Sequence, residues 1–169
     1  APAFDPSLDA TGKTYRYLLS VSPRKPLAAA GNVWHYGRPL AGESMRRAAR
    51  TLAGEHDFAG FASKGDDRES TVRRIFSCDV VERGCLLGVT VRGDGFLYRM
   101  VRNIVGTLAE IGRGRWGPER IDAILAAADR ALAGPTAPAE GLTLLRVHYD
   151  DRIFGLHRAL VDNPRGKGI

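Results

Sequence analysis

From Phe96 to Ile111, apolar residues return at every third or fourth position: Phe96, Met100, Val101, Ile104, Val105, Leu108 and Ile111. That spacing lays one stripe of a helix against a core, and Gly112 supplies the residue on which such a helix stops. The segment directly upstream obeys the other period. Val72–Glu82 and Cys85–Arg92 alternate in polarity about a turn at Arg83-Gly84, the pattern of a β-hairpin. Ile75, Val80, Leu87, Val89 and Val91 form its apolar face. A hairpin leading straight into a long amphipathic helix requires a sheet with helical cover.

The remaining elements fit around this unit. Lys13–Val21 (KTYRYLLSV) is aromatic and β-branched enough for a strand, closed by Pro23 and Pro26. Asn32–Tyr36 is a short extended piece ending at Gly37. Ser44–Leu52 reads as a helix with Met45, Ala48, Ala49 and Leu52 on one face and Gly54 as its stop. Pro118 opens a further helix through Ile121, Ile124 and Leu125, and Gly141–Tyr149 is a last strand. Strands at both ends and a hairpin between them predict an α+β fold, an antiparallel or mixed sheet with helices packed on one face. Ser63–Ser70 (SKGDDRES) is a charged loop, able to order on a partner.

Composition narrows the functional classes. At 169 residues, 44% hydrophobic and 26% charged, the chain has the makings of one cored domain and not of a disordered one. No apolar run nears the roughly 20 residues of a membrane span. Net charge is +6, carried by 21 arginines and only four lysines. Arginine's planar fork matches phosphate and stacks on bases, so the excess suits a nucleic-acid surface. Two cysteines, Cys78 and Cys85, cannot staple a domain of this size, which predicts a reduced, cytoplasmic protein. His35, His56, His148 and His157 lack ligand spacing, so no metal site is expected.

Within the long helix the stripe is interrupted by Arg99, Arg102 and Asn103. Arg102 falls on the border of the buried face, where a guanidinium either snorkels to solvent or needs an anion. No Asp or Glu stands three or four residues away on either side. Any carboxylate partner must come from elsewhere.

FLYRMVRNIVGTL (Phe96–Leu108), followed by DRALAGPTAPAEGLTLLRVHY (Asp129–Tyr149), resembles the C-terminal half of the TruA-type tRNA pseudouridine synthases. ATGKTYRY near the start and GEHDF in the middle extend the resemblance over about Phe4 to Tyr149. It implies the C-terminal half of a pseudouridine synthase fold over residues 1–149; Pro164, Gly166 and Gly168 make 150–169 an expected flexible tail. It also implies isomerisation of uridine in the anticodon arm of tRNA, without a cofactor, by homodimers. An aspartate attacks the uridine, the glycosidic bond breaks, and the base turns over and rejoins through carbon. Tyr15 matches the tyrosine that stacks on the flipped base and is a candidate for proton handling. Arg102 matches the arginine that pairs with the catalytic aspartate, and Leu142 the apolar residue packed against the base. Lys64, Arg68, Arg73 and Arg74 fall where the family contacts tRNA, and Asn103 joins the expected substrate-binding residues.

One element of the family pattern is missing. Its nucleophile lies in an R-T-D motif upstream of the matched region, and this sequence contains no R-T-D. Asp94, in GDGF, is near Arg102 in sequence without being the family aspartate. The expectation is therefore the C-terminal part of a longer synthase, inactive without its N-terminal half. The alternative is a stand-alone, non-catalytic RNA-binding module derived from such an enzyme.

Overall fold

The computed structural model describes residues 5–6, 9–25, 31–65 and 70–150. The expected flexible tail beyond Asp150, and Arg68, lie outside the described residues.

Strand β1 (Ala10–Ser20) is the sheet's spine. On one side it pairs antiparallel with β5 (Leu86–Gly93), which pairs antiparallel with β4 (Val72–Arg83), the expected hairpin. On its other side β6 (Leu142–Tyr149) runs antiparallel along Ala10–Tyr17, and β2 (Trp34–His35) pairs parallel with Leu19 and Ser20 beyond it. The far edge is β3 (Gly54–Asp57), antiparallel to β4. The sheet is thus mixed and six-stranded.

Alternation along these strands sends Tyr17, Leu19, Ile75, Cys78, Val80, Leu87, Val89 and Val91 to one face, all buried. Helices α1 (Gly42–Thr51) and α2 (Met100–Gly112) bring Met45, Ala48, Ala49, Ile104, Leu108 and Ile111 into the same core. Each large aliphatic side chain so buried stabilises the fold by about 1.5–3 kcal/mol. A third helix, α3 (Arg120–Ala127), adds Ile121 and Ile124. The α+β reading with helices over one sheet face therefore holds.

Element ends shift by a few residues from the sequence reading, and two departures have a clear local cause. Phe96 is in phase with the apolar stripe, yet α2 starts only at Met100, because Arg99 has φ 58° and ψ 10°, a left-handed backbone that no helix continues through. GEHD, read only as a family motif, is the edge strand β3. Its residues pair backbone to backbone with Val72–Ile75, and that pairing needs no apolar alternation.

Helix α2 is buried almost all round; within it only Arg102 is partly exposed. The sheet and α1 cover it from one direction and the segment 133–137 from another. Gly106 makes that second contact possible: a Cβ there would collide with the Pro135 carbonyl oxygen and stand 2.9 Å from its carbon.

Candidate active site

A cavity of about 380 Å³ opens where the start of α2 meets β1 and β6. Its wall includes Tyr15, Gly65, Leu142 and the run Phe96–Arg102. Ligand sites commonly have volumes of this order. Tyr15 sits in register between Val91 of β5 and Leu144 of β6, and its ring meets Phe96 edge to face, centroids 5.2 Å apart. A bulge between Thr14 and Tyr15 shifts the β6 register here, so Leu142 pairs with Tyr17 and reaches the same face.

Arg102 is clamped by backbone. Its Nε donates to the Ala137 carbonyl at 2.6 Å, while the Ala137 N–H donates to the Arg102 carbonyl at 3.1 Å. Among the described residues no carboxylate lies within ion-pair distance of Arg102. Asp94 is not a candidate. Its Oδ1 accepts the Arg74 N–H at 3.0 Å and its own N–H bonds the Arg74 carbonyl, so it closes the end of the β4–β5 hairpin.

Tyr17, the second tyrosine of KTYRY, shares the face of Tyr15 but is fully buried. Its hydroxyl donates to the Pro138 carbonyl at 2.7 Å. Burial raises its pKa well above the usual phenol range, against the opposing pull of nearby Arg102. It is an anchor for the strand that carries Leu142. Gly141 lets the chain pass over it, since a Cβ there would lie 2.5 Å from the Tyr17 ring.

The other expected contacts separate. Lys64 is exposed beside Gly65 of the cavity wall. Arg73 is partly exposed near Gly95, its guanidinium turned to the Ser70 carbonyl at 2.9 Å. Arg74 flanks buried Ile75 on the opposite face of the sheet, away from the cavity. Asn103 is fully buried and lies under the wall rather than on it. Its amide donates to the Phe61 carbonyl (2.7 Å) and Ser63 Oγ (3.2 Å), and accepts from Thr136 (2.7 Å) and Arg130 (3.1 Å). Sequence reasoning missed Tyr98 and Arg99 on the cavity wall; their signal was the exposed polar break before the helix.

Tyr15, Arg102 and Leu142, which are 87 and 40 residues apart in the chain, thus line one cavity. A model of the tRNA pseudouridine synthase family matches residues 48–150, more than half of the chain. The chain belongs to this family. Among curated relatives it is 48% identical over 147 residues to tRNA pseudouridine synthase A of Syntrophotalea carbinolica, covering 86% of this chain and 58% of that protein. It is 42% identical to tRNA pseudouridine synthase A of Geotalea uraniireducens, over 87% of this chain and 60% of that one. The corresponding synthase of Acidiphilium cryptum is 40% identical, over 88% and 58%. The chain therefore spans about three fifths of the length of these synthases. Among the described residues no helix is long and apolar enough to cross a membrane.

Proposed function

We propose that this chain forms the arginine-bearing side of a tRNA pseudouridine synthase active site. The observation that carries the reading is Arg102: part-buried, clamped at Nε, lining a cavity with Tyr15 and Leu142, and without a carboxylate partner among the described residues. A guanidinium so held stabilises an ionised aspartate brought to it and keeps that aspartate nucleophilic. The aspartate comes from polypeptide outside these 169 residues, in keeping with the missing R-T-D and the greater length of the relatives.

In this reading a uridine of the anticodon arm leaves its stack and enters the cavity, where the Tyr15 ring and Leu142 cover its faces. The aspartate attacks the nucleotide and the bond from N1 to C1′ breaks. The base rotates, C5 bonds to C1′ as the aspartate's bond to the nucleotide breaks, and the C5 proton is lost as N1 gains one. Substrate and product are isomers, and the reading carries the isomerisation through without a cofactor. Tyr15 serves this reading as the stacking platform and is its candidate for accepting that proton. Lys64, Arg73 and the net charge of +6 supply phosphate contacts. Assembly as a homodimer and a cytoplasmic location complete the proposal.

Tritium release from tRNA labelled at uridine C5 tests it. The 169-residue chain alone releases none, and adding the N-terminal half of a relative restores release. With Arg102→Ala that restoration fails. Release by the chain alone, or by the Arg102→Ala pair, would refute the missing-nucleophile reading. RNA binding without restored release would favour the stand-alone binding module.

A further inference from the structure

The stretch between the hairpin and α2 holds a feature that the reaction above leaves unused. Tyr98 is 46% exposed on the cavity wall, although its neighbours Leu97 and Met100 are buried. The Arg99 guanidinium lies over its ring, 4.9 Å from the centroid. Only Arg99 and Ala128 among the described non-glycine residues have positive φ. Glycine or asparagine is the usual occupant of such a backbone, so a long cation there is a local choice made against conformational preference. The pair is also fixed to the charged loop, because the Tyr98 carbonyl accepts the Ser63 N–H at 3.1 Å, one residue from Lys64.

We propose that Tyr98 and Arg99 hold the nucleotide next to the flipped uridine. That neighbour's base stacks on the Tyr98–Arg99 pair, and its phosphate pairs with the Arg99 guanidinium. The inference rests on the cavity's being a base-receiving site. When a base leaves a stack, the face of its neighbour is exposed, and an aromatic ring beside a guanidinium offsets that loss for any base. The phosphate joining the two nucleotides then lies beside a cation at the cavity mouth. Tyr15, Phe96 and Tyr98 thus divide the work: the first receives the target base, the second fixes the first, and the third holds the adjoining base.

The test is affinity of the 169-residue chain for a fluorescently labelled RNA hairpin with uridine in its loop, measured by anisotropy over a salt series, with melting of each variant alongside. Tyr98→Phe binds as the unaltered chain does, and Tyr98→Ala weakens binding about tenfold. Arg99→Gly relieves the left-handed backbone and raises the melting midpoint by about 2–4 °C. It nevertheless weakens binding and lowers the salt slope by about 0.7–1, the loss of one phosphate contact. A more stable Arg99→Gly chain with undiminished affinity, or a Tyr98→Ala chain that binds unaltered, overturns the inference while leaving the cavity reading standing. If the unaltered chain fails to bind at low salt, both fall together.

Discussion

Gly106→Ala separates helix propensity from tertiary contact, because the two predict opposite signs. In an isolated helix, replacing an interior glycine by alanine stabilises by about 1 kcal/mol. Here the new methyl would meet the Pro135 carbonyl, a backbone group with no rotamer to turn aside. Two responses are open to the chain. If α2 and the 134–137 segment stay in place, the overpacking costs about 3 kcal/mol, the upper end for an added methylene. If they part, three hydrogen bonds stretch: Arg102 Nε to Ala137 O (2.6 Å), Ala137 N to Arg102 O (3.1 Å) and Gly134 N to Thr107 Oγ1 (2.9 Å). At about 1 kcal/mol each, with further loss for groups left buried and unpaired, that route costs about 3–5 kcal/mol. Less the propensity gain, the expected net is about 2–4 kcal/mol of destabilisation. For a chain of this size thermal unfolding should drop by about 5–15 °C. A Gly106→Ala chain that melts at or above the parent would refute the close approach, and with it the clamp on Arg102.

Two further outcomes are expected. Asn103→Ala leaves the Phe61 carbonyl, Ser63, Thr136 and Arg130 without their shared partner. It should destabilise by about 3–5 kcal/mol in urea titration, and a change below about 1 kcal/mol would dismiss the amide as a junction. His148 is held below its ordinary 6.5 by burial, then by Arg92 and Arg146, and its Nε2 lies 2.8 Å from Thr14 Oγ1. A depressed pKa means that below about 6.5 the unfolded chain takes up a proton before the folded one. Stability from this group is complete above that pH and declines as pH falls toward the folded-state value. His148→Gln should flatten the fall in melting temperature between about pH 7 and 5, and an unchanged profile would exclude His148 as its source.

The hairpin and α2 are legible in the sequence because each carries its own period, and Ile75, Val89, Ile104 and Leu108 are buried as alternation and the three-four spacing require. The edge strand β3 is not, since GEHD is polar and is held by backbone pairing with β4. The site is a harder case. Tyr15 and Leu142 are ordinary strand residues by pattern, and Arg102 is an ordinary helix-border arginine. Only the family resemblance singles them out before the cavity is seen. Tyr17 was within reach, since KTYRY puts both tyrosines on one face two residues apart.

Within α2, what local pattern misreads lies beside its arginine. Asn103 breaks the apolar stripe, and Gly106 is a poor helix former in the middle of a helix. By local rules both are faults. Their reasons lie far along the chain: Asn103 answers to Phe61, 42 residues away, and to Thr136, 33 residues away, and Gly106 admits Pro135. Both residues bind α2 to the segments that frame Arg102, one at the next position and the other a turn later. Local consistency is given up where Arg102 is held against a backbone carbonyl, and under the proposed function this is the kind of place where function displaces foldability rules. The same reasoning applies to Arg99, whose left-handed backbone breaks the helix on the other side of Arg102. Departures from pattern on both sides of one side chain mark it more firmly than its own burial does.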